Sequence, residues 1–170
     1  DGEKININGD DWSVMIGRGH APEHACLYSK GGNILISGDQ VLPRISPNIS
    51  VAPFEPEGNP LKLFLTSLNS FRVLSSDTLI LPSHDWPFLN LIERLDDLSL
   101  HHEERLSKTL EICSHSVNGM QILKGLFRRD LDDHQLFFAV GESIAHVNYL
   151  VSNGMLKRDT DKNGIHWFHV

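Results

Sequence analysis

The hydrophobic period changes twice along these 170 residues, and that restricts the chain to a mixed architecture in two parts. Segments 3–7, 12–16, 25–29 and 34–37 alternate apolar and polar residues as half-buried strands do. Lys30-Gly31-Gly32-Asn33 separates the last two, and its glycine pair predicts a tight hairpin with positive φ at those glycines. From Pro60 the period becomes helical: Asn59 can cap, Pro60 suits a first turn, and Leu61, Phe64, Leu65, Leu68 and Phe71 share one face. Residues 77–81 then read as a short apolar strand, and the order strand, helix, strand predicts an α/β layer. The Pro-rich stretch 42–60 reads as a long loop, of a length that often marks function.

The second part begins with one long helix over 90–114, apolar at Leu91, Leu95, Leu98, Leu106 and Leu110 and charged elsewhere, which suits a connector. Two more helices are predicted over 116–127 and 131–153. The last has an inward stripe of Phe137, Val140, Ile144, Val147, Leu150 and Val151, and outward Glu142, Ser143, His146, Tyr149 and Ser152. Phe127, Phe137 and Phe138 are expected in the core. Segments 155–158 and 165–170 should pair across Asp161-Lys162-Asn163-Gly164, with one of Trp167 and Phe168 packed inward. Helices followed by such a hairpin follow the winged-helix plan. The expected division is 1–100 and 101–170.

Composition narrows the function. No apolar run approaches the roughly 20 residues of a membrane span, and Asp1-Gly2-Glu3-Lys4 does not resemble a signal peptide, so a cytoplasmic protein without membrane partners is expected. Cys26 and Cys113 stand far apart without a CxxC neighbour, which predicts buried thiols rather than a disulfide or zinc knuckle. The net charge of −7 lies wholly within residues 1–105, and nucleic acid is not a favoured partner. Lys124, Arg128, Arg129, Lys157, Arg158 and Lys162 read as scattered surface charge, and the last helix offers no Arg or Lys outward. His101 and His102 adjoin on a helix and read as solvated or inter-domain residues rather than ligands.

Ten histidines justify a search for metal ligands. Gly19-His20-Ala21-Pro22-Glu23-His24 precedes a predicted strand, Ser37-Gly38-Asp39 follows the next, and Pro82-Ser83-His84 follows a third. Strand ends in α/β layers are where sites assemble. Imidazole suits zinc, copper, iron or nickel, and one carboxylate can bridge two cations through its two oxygens, so His20, Asp39 and His84 are chemically sensible together. No Ser, Cys or His arrangement suggests a covalent nucleophile, and no other catalytic residue is assigned.

The segments Gly19-His20-Ala21-Pro22-Glu23-His24-Ala25-Cys26-Leu27-Tyr28, Ile36-Ser37-Gly38-Asp39-Gln40-Val41-Leu42 and Leu81-Pro82-Ser83-His84 resemble the later motifs of the metallo-β-lactamase superfamily. His101-His102-Glu103-Glu104-Arg105-Leu106 with the tail resembles its subgroup carrying a carboxyl-terminal winged-helix domain. The resemblance implies an α/β fold, the second half of an αββα sandwich followed by that domain. It makes His20 a ligand of one metal, Asp39 the bridge and His84 a ligand of the other, with His24 beside them in the pocket. It implies two divalent metals, zinc foremost, and a metal-bound hydroxide attacking an ester, thioester, lactam-like or phosphodiester small-molecule substrate. The alternative is a non-catalytic winged-helix module binding nucleic acid or protein.

The sequence departs from the family's pattern in two places. The family's other ligands come from a His-x-His-x-Asp-His motif, which does not occur in these 170 residues, and Asp85-Trp86 stands where relatives often place glycine. The expectations are that the N-terminal half of the sandwich lies outside this chain, and that the chain alone holds divalent metal weakly or not at all and hydrolyses nothing. The loops are then expected either to be disordered or to have His20 and His84 turned to water and neighbouring backbone. The uncovered sheet should seek the N-terminal half or a second copy, with Ile5 and Ile7 the expected contact.

Overall fold

The computed structural model describes residues 1–128 and 130–170; Arg129 of the basic group lies outside the described residues. Two compact units divide the chain, the first comprising Asp1–Pro47 and Lys62–Leu100, the second Asn48–Leu61 and His101–Val170.

The first unit is a five-stranded sheet with two helical segments. Strands β1 (Lys4–Ile7), β2 (Asp10–Gly17), β3 (His24–Ser29), β4 (Ile34–Gly38) and β5 (Leu79–Pro82) lie in that order. All neighbours are antiparallel except β4 and β5, which run parallel and therefore need a crossover, supplied in part by helix α1 (Pro60–Phe71). Asn8 and Asn33, both at positive φ, close the first and third hairpins of the meander. That corrects one expectation: Gly31 and Gly32 keep ordinary φ, and Asn33, a residue that tolerates the left-handed region, makes the turn.

Register sorts the side chains onto two faces. Cys26, Leu35, Ser37 and Ile80 share a buried face. The helices complete this part of the core with buried stripes at helical spacing: Phe64, Leu68 and Phe71 on α1, and Leu91, Leu95 and Leu98 on helix α2 (Leu91–Ile112). The opposite face carries Ile5, Ile7, Trp12, Val14, Ile16, Leu27, Ile34, Ile36, Leu79 and Leu81 in register across all five strands. None of these ten is fully buried, and Ile5, Ile7 and Ile36 are 41%, 43% and 39% exposed. One apolar sheet face is thus buried and the other is half-exposed.

The second unit holds the rest of α2, strand β6 (Val117–Asn118), helices α3 (Gly119–Leu126) and α4 (Asp133–Ser152), and strands β7 (Lys157–Thr160) and β8 (His166–His169). β8 pairs antiparallel with both β7 and β6. The helix expected from 116 starts later because Asn118 and Gln121 form a capping box, leaving Val117 and Asn118 free to pair with Phe168 and Trp167. Asp161 closes the β7–β8 turn by accepting the Asn163 and Ile165 amides and the Trp167 indole N–H. Phe168 is the inward residue of its pair with Trp167. Among the described residues no helix is long and apolar enough to cross a membrane.

Three expectations for this unit are corrected. Phe137 is 67% exposed, Phe138 is also exposed and Phe127 is half-buried beneath the Arg105 guanidinium, so these rings are not core. The inward face of α4 keeps Val147 and Leu150 of the expected stripe, but it also takes in Ser143 and His146, whereas Val140 and Ile144 are exposed. Small Ala139, Gly141 and Ala145 permit this, since Gly141 sits so close to Ser50 that its carbonyl accepts the Val51 amide. Of the two readings of His102, solvated or inter-domain, burial removes the first: its Nδ1 lies 3.3 Å from His146 Nε2, while His146 Nδ1 faces the Glu142 carbonyl at 2.8 Å.

That pair makes a pH prediction. Burial, then the charges of His146, His101 and Arg105, push His102 down to about 3, and burial lowers His146 against the pull of Glu142. Unfolded imidazoles bind protons near about 6.5, so stability is fullest above that pH and is lost as pH falls towards the folded values. Urea unfolding should show His102 alone costing on the order of 2 kcal/mol by about pH 5. A His102→Leu/His146→Leu variant should flatten this acid limb, and an unchanged slope would refute the assignment.

Candidate metal centre

The topology brings the sequence-predicted residues to one end of one sheet. β2 ends at Gly17 where β3 begins at His24, and β4 and β5, being parallel, end together at Gly38 and Pro82. The loop after β2 carries His20, the residue after β4 is Asp39, and His84 follows β5 by two positions.

At that edge His20 Nε2 lies 3.6 Å from Asp39 Oδ2, and His84 Nε2 lies 3.3 Å from Asp39 Oδ1. The expectation that both rings turn to solvent or backbone is corrected in part: both face the carboxylate, while the His84 side chain also stays exposed. Among the described residues no three His, Cys, Asp or Glu side chains converge as a ready cage for one ion. Instead each carboxylate oxygen has its own imidazole beside it.

Neighbouring groups orient Asp39. Its amide donates to His24 Nε2 at 3.1 Å, and the Ser83 hydroxyl donates to Oδ1. The His20 loop is held by Arg18, which donates to the Pro22 carbonyl at 3.1 Å and to Glu23 at 2.9 Å. Ser83 is a neighbour that sequence reasoning does not single out, and its place beside His84 is the signal that could have found it. Asp85, at φ +65°, occupies the left-handed region, a conformation that glycine adopts without strain. Burial pushes the thiol of Cys26 up to about 12 and that of Cys113 to about 11, so neither is a nucleophile at neutral pH.

The chain belongs to the metallo-β-lactamase superfamily: residues 1–84 match the family described as Metallo-beta-lactamase superfamily, and residues 106–170 match Metallo-beta-lactamase-like, C-terminal domain. It is similar over its whole length to a beta-lactamase domain protein from Burkholderia ambifaria, with 40% identity, a TM-score of 0.93 and 51% of that chain covered. A metallo-beta-lactamase family protein of Thermus thermophilus, TTHA1429, is 29% identical with a TM-score of 0.85, the match covering 100% of this chain and 53% of that one. The Bacillus subtilis protein described as "Probable metallo-hydrolase YqjP" is 27% identical over 155 residues, 87% of this chain and 47% of its own length. The chain therefore spans about half the length of these relatives.

Gly38 provides a test of the arrangement. Its φ is +54°, and an added Cβ would overlap His24 Nε2, the atom that accepts the Asp39 amide. Gly38→Ala should destabilise the protein by more than about 1 kcal/mol in urea unfolding. A wild-type midpoint would show that this close approach does not hold.

Proposed function

We propose that the chain supplies the Asp39 side of a dinuclear divalent-metal centre in a hydrolase, with zinc the ion whose ligand chemistry fits best. The observation that carries this reading is the Asp39 carboxylate with a different imidazole at each oxygen. Such ions, when bound, polarise a carbonyl or phosphoryl oxygen and activate water. His20 and His84 would each offer Nε2, Asp39 would bridge, and Ser83 and His24 would hold the carboxylate in place. The substrate class is a small ester, thioester, lactam-like molecule or phosphodiester. Two separate buried thiols suit a reducing compartment such as the cytoplasm.

We read the second unit as a winged helix that serves protein contacts. Helix α4 contains no Lys or Arg, so it offers phosphates no cation along its length. The half-exposed sheet face is the surface for the other half of the sandwich or a second copy. Light scattering on the isolated chain should show self-association; a stable monomer at high concentration would count against that part of the reading.

One imidazole and a shared carboxylate per ion fall short of the roughly three protein ligands of a catalytic zinc site. Calorimetry with zinc should therefore give weak binding, abolished in Asp39→Ala, and no turnover of a thioester or phosphodiester. Binding unchanged by Asp39→Ala would sink the assignment, and submicromolar binding of two equivalents would mean that further ligands lie within this chain.

A further inference from the structure

The geometry points to Gln40 as a positioning residue that holds the His20 loop at its distance from Asp39; this rests on the metal-centre reading. Gln40 is fully buried next to Asp39. Its Nε2 donates to the Ser67 hydroxyl at 2.9 Å and to the Arg18 carbonyl at 3.3 Å, and the same hydroxyl accepts the Arg18 amide at 3.1 Å. The backbone of Arg18 is thereby gripped at both its N–H and its C=O, two residues before His20. The residue before it must be small, because a Cβ on Gly17 would overlap the Gln40 carboxamide.

Stability alone does not explain this side chain. Gln40 Oε1 is buried and has no hydrogen-bond partner among the described residues, a cost that an apolar residue of the same size avoids. What the amide adds is its two N–H donors. One reaches the Arg18 carbonyl and the other reaches the hydroxyl that holds the Arg18 amide, so both act on the segment leading to His20. Asp39 and Arg18 are thus tied through consecutive residues, and the His20-to-Asp39 spacing is set by Gln40 while the His84 side is not.

This asymmetry is measurable by NMR on the full chain, following the His20 and His84 ring nitrogen shifts as Zn²⁺ is added. In the wild type both rings should shift over one range of Zn²⁺. In Gln40→Met, His84 should respond as before while His20 needs on the order of tenfold more Zn²⁺. Without metal, the same variant should weaken cross-peaks between the His20 and His24 rings, whose centroids lie 6.0 Å apart, and speed exchange of the Arg18 amide. Unchanged cross-peaks and dose, or equal changes at both histidines, would overturn the proposal. If neither wild-type ring shifts, the metal-centre reading fails, and the metal-free measurements still decide the role of Gln40. Should Gln40→Met not fold, Ser67→Ala removes the shared anchor and must give the same contrast.

Discussion

Everything at the candidate centre depends on the parallel pairing of β4 with β5. Antiparallel neighbours place successive loops at alternate ends of a sheet, so a strictly antiparallel unit would put the residues after β4 and after β5 at opposite ends. The crossover containing α1 reverses that, and Gly38 and Pro82 finish side by side. Only then can Asp39 and His84 meet. The antiparallel hairpin of β2 and β3 delivers the His20 loop to the same end through the pairing of Gly17 with His24.

Given that placement, the chemistry of Asp39 follows from what surrounds it. Its backbone amide is committed to His24 and one oxygen also takes the Ser83 hydroxyl, so the carboxylate has little freedom to turn. A neutral imidazole presents either an N–H or a lone pair at Nε2, according to its tautomer. The same two rings can therefore face the carboxylate directly through N–H, or would offer Nε2 lone pairs to a cation if one were bound.

Strand and helix positions were legible because the period of apolar residues is local, and the His20, Asp39 and His84 segments because they lie beside strand ends. Less legible were features decided by tertiary context. Ser143 and His146 point outward on a helical wheel drawn from the apolar residues, yet the close approach of Ser50 to Gly141 and the contact of His146 with His102 draw them in beside Val147 and Leu150. The hairpin turn falls to Asn33 although two glycines precede it. Gln40 and Ser67 carry no sequence signal, because their role depends on hydrogen bonds between residues 27 positions apart.

Under the proposed reading, the half-exposed sheet face and the metal centre are connected by geometry. Packed sheets lie about 10 Å apart, so any layer covering Val14, Leu27 and Ile36 brings its own strand ends to within about that distance of the edge carrying Asp39. Histidine and aspartate side chains projecting from such ends span much of that gap. Under the proposed reading, the layer that buries the apolar face is then also the natural source of the remaining ligands. Completing the core and completing the metal site become one event, and metal affinity should rise with whatever closes the sheet.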